Sequence, residues 1–495
     1  MRYLGRTREL KLLEERYSNN RFEFGYLYGQ RRIGKTSLLE MFKDNKKSLM
    51  FYSTDSDDID IRDDFSNFFY KQSGLNYQGS FKSWYSFFEA ISDYFKDDFG
   101  LFVIDEYPNI ILTRDGKRKK TDFLSALQRA IDNMFKHQKF TLILTGSNVS
   151  FLETEINDSK APLYQRNTFS LLLKKFEWNE ALEFLDGIED VFEKAKILAL
   201  TNTFPYYLSL IDQKKSFEQN LDDLFYKETS TFTDDPSKII TSNVVTSGLY
   251  ASIIKNISNG KNTLNSLCEA LKTDTSKMTK YLKELLSDNI IKRRANFNSN
   301  RNSKYEICDP MLSFYYRFIR ENSELIKTGY GNIIKKEQII QINDFINHAF
   351  EYECLSYLEY LNKNGKLNTF YTEFGNCNID NSELGRSIEL DIVASRKEYL
   401  LVAECKFSKN KRTISDVTDM YEDLSINIFK HYTKKELYLF GASGFDEKLL
   451  DNDDDNLKLI DLSKMLNKAW LNYNCIQQKK EEWIILIHSF LFLPF

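Results

Sequence analysis

The sequence predicts a multidomain α/β chain whose N-terminal third is a parallel sheet flanked by helices. Three observations predict it. With 495 residues, the chain is far longer than one ordinary domain, and two to four domains are expected. Residues 1–175 alternate short apolar runs with amphipathic stretches, the pattern of strands joined by crossover helices. A glycine-bounded loop, Gly29 to Thr36, lies where the first apolar run gives way to a helical stretch.

The strand candidates in that region are FEFGYLYG, SLMFYS, LFVIDEYP, FTLILTGS and TFSLLLKKF. Residues 176–240 read as helices beginning at FEWNEALEFL, and residues 241–320 as a helix-rich segment with one basic hairpin. Residues 321–475 combine a helix around HAFEYECLSYLEYL with the strands SIELDIVAS and YLLVAECKFS. Residues 476–495 end in the apolar run WIILIHSFLFLPF from Trp483, too short to span a bilayer as a helix. It is either a buried terminal element or an anchor, and no membrane partner is indicated.

Apolar residues make up 42% and charged residues 28% of the chain, which suits a globular rather than a disordered protein. The net charge of −4 excludes a global attraction to polyanions, so any DNA contact must come from a local basic patch. Six cysteines (Cys268, Cys308, Cys354, Cys377, Cys405, Cys475) are scattered, with no CxxC pair and no short spacing to a histidine. Reduced structural thiols fit this better than zinc ligands. The N-terminus MRYLGRTREL lacks the apolar core of a signal peptide, so a cytoplasmic location is expected.

Gly29, Gln30, Arg31, Arg32, Ile33, Gly34, Lys35 and Thr36 match GxxxxGK[ST] in full, with Ser37 opening the helix SLLEMF. Glycines let backbone amides turn inward around a β-phosphate, and the helix N-terminus adds its positive end. Lys35 would neutralise β- and γ-phosphate charge, and the Thr36 hydroxyl would ligate Mg2+. ATP and Mg2+ are therefore the expected substrate and cofactor. The run Leu101–Phe102–Val103–Ile104 ends in Asp105 and Glu106. Asp105 would complete the Mg2+ shell, and Glu106 could polarise the attacking water. Ser147 and Asn148 close the strand FTLILTGSN, and would sense the γ-phosphate if that strand lies beside the first; otherwise they form a satisfied turn. Arg166, in PLYQRNTF, is either an arginine finger or the partner of a surface carboxylate.

These residues carry a resemblance. GRTREL, GQRRIGKTSLL, VIDEYP, LQRAID, LILTGSN and PLYQR resemble the archaeal-type ATPases of the AAA+ and STAND group of P-loop NTPases. The resemblance implies that Gly5 and Arg6 lie near the adenine and that Arg166 approaches a phosphate. One departure stands out. The family has a glycine pair before its Pro-x-Tyr-Leu, whereas Asn202-Thr203-Phe204-Pro205-Tyr206-Tyr207-Leu208 has none, which puts a nucleotide contact by Pro205 in question.

Residues 247–309 hold three helical stretches around ASIIKNI, TLNSLCEALK and SKMTKYLKELLSD. In the last, Met278, Tyr281, Leu282, Leu285 and Leu286 share one face. The hairpin NIIKRRANFNSNRNSKYEI follows. This is the winged-helix pattern, and Lys277, Lys280, Arg293, Arg294, Arg301 and Lys304 could meet DNA phosphates. Alternatively, the segment packs on the ATPase and relays its state.

Further on, Glu389 and Asp391 precede Glu404 and Lys406 in a D…ExK arrangement across SRKEY. Strand periodicity puts each pair on one face, and a hairpin would bring both together. Two carboxylates, Asp391 and Glu404, can hold Mg2+, Lys406 can orient a nucleophile, and Glu351 on the preceding helix could complete the site. This region resembles the restriction-endonuclease, or PD-(D/E)xK, fold, and the archaeal-type ATPases often end in such a nuclease-like region. The expected architecture is a P-loop NTPase core (1–175), a helical lid (176–240), a winged helix (241–320), a nuclease-like domain (321–475) and a tail (476–495). The expected function is ATP hydrolysis coupled to a DNA-directed C-terminal domain. The alternatives are a non-cleaving switch or scaffold, alone or as a homo-oligomer.

Overall fold

A computed structural model of the chain describes residues 5–96, 98–113, 116–233, 248–297, 299–381 and 384–467. The apolar tail and Cys475 lie outside the described residues, as does the side chain of Arg301.

Each of the five apolar runs contains a strand: β1 (Glu23–Tyr28), β2 (Ser48–Tyr52), β3 (Gly100–Asp105), β4 (Phe140–Gly146) and β5 (Phe169–Leu172). They form one parallel sheet in the order β2-β3-β4-β1-β5. β1, β3 and β4 are buried along their whole length, which is why they read as continuous apolar runs rather than as alternation. β5, at the edge, alternates between half-buried and exposed. Because β4 separates β1 from β3, the carboxyl ends of these three strands stand side by side, where open α/β sheets bind ligands.

An aromatic layer covers one face of the sheet. Phe51, Phe65, Phe87 and Phe102 lie with ring centroids 4.9 to 6.2 Å apart, under the helices Asp58–Ser73 and Trp84–Phe95. The second helix starts at Ser83, whose hydroxyl and that of Ser86 form a reciprocal cap. On the other face, Leu38, Leu39 and Phe42 of the helix Lys35–Phe42 join Trp178, Leu198 and Tyr207. That apolar cluster continues without a break through Phe314, Phe350 and Tyr357 to Phe440.

Three helices, Gly248–Ser258, Leu264–Leu271 and Thr275–Ser287, precede an antiparallel hairpin of β6 (Ile291–Asn296) and β7 (Ser299–Ile307). Met278, Leu282 and Leu285 are buried as their spacing predicts, with Tyr281 and Leu286 packed beside them. After the long helix Gly331–Lys363 come β8 (Gly375–Asn381), β9 (Arg386–Arg396), β10 (Tyr399–Lys406), β11 (Lys434–Gly441) and β12 (Leu457–Asp461). β9 and β10 pair as the expected antiparallel hairpin.

The basic hairpin continues the C-terminal sheet, whose order is β12-β11-β10-β9-β8-β6-β7. Asn296 pairs with Asn376 of β8. The Asn296 amide donates to the Asn378 carbonyl and accepts from its N–H, both at 2.9 Å. The Phe297 N–H donates to the Asn376 carbonyl at 2.7 Å, and the Phe297 ring stacks on Phe429 at 5.7 Å. Among the described residues no helix is long and apolar enough to cross a membrane.

Lys175 stands where the two halves meet. Its ammonium donates to Asn202 at 2.7 Å and to Ser356 of the long helix at 3.1 Å. Burial there pulls its pKa down to about 8, Glu359 opposing and Lys292 adding to the effect. The unfolded chain keeps this proton to about 10.5, so between these values the unfolded state binds more protons and folding stability rises with pH. Lys175→Met is expected to remove this contribution, seen as a urea midpoint whose slope with pH between about 8 and about 10 is less positive than the parent's.

Candidate functional site

The loop leaving β1 is fixed by two close constraints. A side chain at Gly29 would place its Cβ 2.2 Å from the Leu173 carbonyl oxygen, and Gly34 sits at φ 89° to start the helix Lys35–Phe42. Lys35 is buried, with its ammonium donating to the Gly29 carbonyl at 3.0 Å and the Gln30 carbonyl at 3.3 Å, and lying 3.8 Å from Glu106. Burial lowers its pKa, while Glu106 and Asp105 act in the opposite sense. The Thr36 hydroxyl donates to the Asp105 carboxylate at 2.6 Å. Ile33 is buried beneath the loop, and Arg31, Thr36 and Ser37 are exposed.

Glu106 has a left-handed backbone, φ 51°, an uncommon conformation for such a residue and one that recurs at functional sites. It turns the Glu106 carboxylate toward the end of β4, where both the backbone N–H and the hydroxyl of Ser147 donate to it at 3.0 Å. β4 lies directly beside β1, as a γ-phosphate-sensing role for Ser147 requires. Asn148 has a local task instead, accepting from the Phe151 N–H to cap the helix Val149–Asn157. Thr145 is a site residue that sequence reasoning missed. Its hydroxyl donates to Asp105 and accepts from the Glu106 N–H at 3.2 Å. It lies two residues before Ser147, on the same face of a strand, so period-two reading could have found it.

Gly5 and Arg6 reach the back of the loop. Arg6 is buried and donates to the Ile33 carbonyl at 2.9 Å and the Lys174 carbonyl at 2.6 Å, with its guanidinium over the Phe176 ring. Gly5 packs against Phe176. Of the two readings of Arg166, the structure shows the partner of a surface carboxylate. Arg166 precedes β5, and in a parallel sheet the residues before a strand lie at the edge opposite a loop that follows one. Its guanidinium is held by both oxygens of Asp132, at 3.0 and 2.8 Å. Within this chain it does not approach the phosphate loop.

Two loop side chains also point elsewhere than at phosphates. Gln30 donates to the Asn289 carbonyl at 3.3 Å, at the foot of β6. Arg32 donates to the Tyr207 hydroxyl at 2.9 Å, lies 3.8 Å from Asp309, and has its guanidinium over Tyr206 and Phe232. The Tyr207 hydroxyl donates in turn to Asp309, which caps the helix Pro310–Phe314 and whose carboxyl burial pushes above its usual range. Gln30 and Arg32 thus offer a nucleotide their backbones, not their side chains. The segment lacking the glycine pair has two residues in the left-handed region, Asn202 at φ 45° and Thr203 at φ 59°. Pro205 comes within 3.9 Å of a Cβ placed on Gly34, and the Tyr206 N–H donates to the Arg32 carbonyl at 3.4 Å.

In the C-terminal half, Asp391 accepts from the Cys405 N–H at 2.8 Å. Burial, reinforced by Glu351, raises its pKa to about 6. Burial and then the Asp391 charge push Glu404 well above its usual range, and one Glu404 oxygen is buried without a hydrogen-bond partner. The Asp391 charge thus bears on Glu404, which also faces the opposing charge of Arg412. Lys406 is exposed, three residues beyond the last β9–β10 pair, and runs alongside β11. Glu351 pairs with His348 at 3.4 Å and lies 3.8 Å from Arg294. Among the described residues no group of three or more histidine, cysteine or acidic side chains is placed to hold a metal. The basic hairpin is largely spoken for. Arg294 is turned into the C-terminal half, Lys292 lies 3.3 Å from Glu306, and Lys304 lies 3.4 Å from Glu389. Arg294 is therefore turned away from a phosphate backbone in this arrangement, Lys304 keeps 33% of its side chain exposed, and Lys277, Lys280 and Arg293 are exposed.

Residues 3–211 match the profile of an ATPase domain predominantly from Archaea, and residues 315–417 match that of archaeal and bacterial proteins of unknown function. An uncharacterized protein of Methanocaldococcus jannaschii is 27% identical over 426 residues, covering 85% of this chain and 91% of its own. An uncharacterized ATP-binding protein of the same organism is 42% identical over 45 residues, 9% of this chain and 76% of its own. Among solved structures, the Walker-type ATPase of Pyrococcus abyssi is 20% identical with a TM-score of 0.48, covering 63% of this chain and 96% of its own. The Aeropyrum pernix ORC2 protein in its ADPNP–ADP complexes is 13% identical with a TM-score of 0.45, covering 68% and 96%. The chain thus carries an archaeal-type P-loop ATPase domain, followed by a C-terminal region of a second, separately defined family.

Proposed function

We propose that this chain hydrolyses ATP at the loop Gly29–Thr36 and uses its nucleotide state to control a DNA-directed, nuclease-like C-terminal domain. The observation that carries the first part is the convergence of Thr36 and Asp105, 2.6 Å apart, beside a Glu106 carboxylate held by Ser147. Two oxygens so placed suit a hydrated Mg2+, which would neutralise phosphate charge as a Lewis acid when bound.

Lys35 sits against the loop carbonyls, where its ammonium can exchange them for β- and γ-phosphate oxygens. The loop amides and the helix N-terminus orient the triphosphate. Glu106 takes a proton from the water that attacks the γ-phosphorus; the bond to the β–γ bridging oxygen breaks, releasing ADP and phosphate. Thr145 and Ser147 hold the two carboxylates in place for this. Arg6 and Gly5 back the loop on the adenine side.

Three helices followed by an antiparallel hairpin support a winged-helix reading of residues 248–307, and the Asp391–Glu404 pair supports a nuclease-like one for the C-terminal sheet. A second reading, a switch that does not cut, is favoured by the hairpin's attachment to β8 and by the exposed position of Lys406.

Lys35→Ala is expected to abolish ATP turnover. Glu106→Gln should lower kcat by about 10²- to 10⁴-fold while nucleotide still binds, measured by phosphate release alongside titration with a fluorescent ATP analogue. Glu404→Ala separates the two readings of the C-terminal half. Metal-dependent cleavage of plasmid or linear DNA that disappears in this variant supports a nuclease, and equal results in parent and variant support the switch.

A further inference from the structure

We propose that Arg294, on β6 of the basic hairpin, plugs the C-terminal carboxylate site, so that the hairpin must leave β8 before Asp391 and Glu404 can take a divalent cation. The inference rests on reading those two carboxylates as a cation site.

The guanidinium is only 10% exposed and reaches across from the hairpin into the C-terminal half. It donates to the backbone carbonyl of Asp391 at 2.6 Å and lies 3.8 Å from the Glu351 carboxylate and 3.5 Å from that of Glu306. Beside it, Tyr352 presents its ring to both Arg294 and Lys292. Arg294 thus brings positive charge to the acidic cluster where a cation would bring its own. A divalent ion at Asp391 would stand close to a fixed guanidinium, and like charges at that range repel strongly in a partly desolvated site.

The plug is a loose one. Its carboxylate contacts are 3.5 Å or longer, neither is the parallel two-bond fork that a tight arginine–carboxylate pair makes, and its Nε is buried without a hydrogen-bond partner. Among the described residues the hairpin meets the C-terminal half through the two Asn296–Asn378 hydrogen bonds, the Phe297 N–H, the packing of Phe297 on Phe429 and Tyr432, the Lys304–Glu389 pair and the placing of Lys292 over Tyr352. Its foot touches the phosphate loop through Gln30 and Asn289. The docked hairpin turns Arg294 inward and pairs Lys304 with Glu389 at the surface, so one movement would both release these cations to a polyanion and free the carboxylates.

Mn2+ binding to the full chain, followed by electron paramagnetic resonance, tests the plug, with the relevant ions defined as those lost on adding Asp391→Asn. Arg294→Met, which keeps the length and apolar stem of the side chain, should tighten this Asp391-dependent binding by on the order of tenfold or more over the parent. Asn296→Ala, which loosens the hairpin and leaves every charge in place, should shift it in the same direction by less, and it carries the test if Arg294→Met does not fold. Equal Asp391-dependent affinity in the parent and both variants overturns the plug and leaves the cation site standing. No Asp391-dependent Mn2+ in any of the proteins overturns the cation site itself, and the plug with it.

Discussion

The six residues between β1 and the helix Lys35–Phe42 answer two demands at once, and the rest of the molecule is arranged around that fact. Their backbone is pressed against Leu173 at Gly29 and turned left-handed at Gly34, which leaves its amides available for phosphate oxygens. Two of their longer side chains are committed outward: Gln30 bonds to the foot of the hairpin, and Arg32 to Tyr207 and to Asp309. A loop built this way cannot reshape around a nucleotide without pulling on both.

What it pulls on is continuous. The apolar cluster beneath the helix Lys35–Phe42 runs through the helices after residue 176 and the segment after Asp309 into the long helix and β11. The Trp178 indole N–H donates to the Met465 carbonyl at 2.9 Å, across 287 residues of sequence. Packed interiors shift between discrete arrangements rather than stretch. Asp309 has a particular place here: it accepts from the Tyr207 hydroxyl, faces Arg32, and caps the next helix. The buried carboxyl is therefore shared by the phosphate loop, the helices after residue 176 and the second half of the chain.

Much of this was legible in the sequence, for reasons that differ from place to place. The strands of the first sheet stood out because central parallel strands are buried on both faces and read as unbroken apolar runs. The phosphate loop stood out because its chemistry demands particular residues at fixed spacing. The β9–β10 hairpin followed from a short polar turn between two strand patterns. The junction of β6 with β8 was not legible, because it rests on one asparagine pair some eighty residues apart in sequence and polar strand ends carry no address. For the same reason the basic residues of the hairpin looked solvent-facing, although Glu306, Glu351 and Glu389 receive three of them. Arg166 was a different case. Its place at the far edge of the sheet follows from parallel topology alone, which favours the carboxylate partner over the finger within one chain.

Asn202 and Thr203 hold positive φ where glycines would hold it freely. The left-handed region is costly for a β-branched residue, and here the cost is met by a fully buried threonine whose hydroxyl donates to the Phe176 carbonyl at 2.9 Å and by an asparagine that receives Lys175. A glycine pair at this turn would act as a swivel. With side chains wedged in their place, the turn behaves as a bracket: the segment bearing Pro205 and Tyr207 keeps its angle to the phosphate loop, and motion begun at one is delivered to the other without slack.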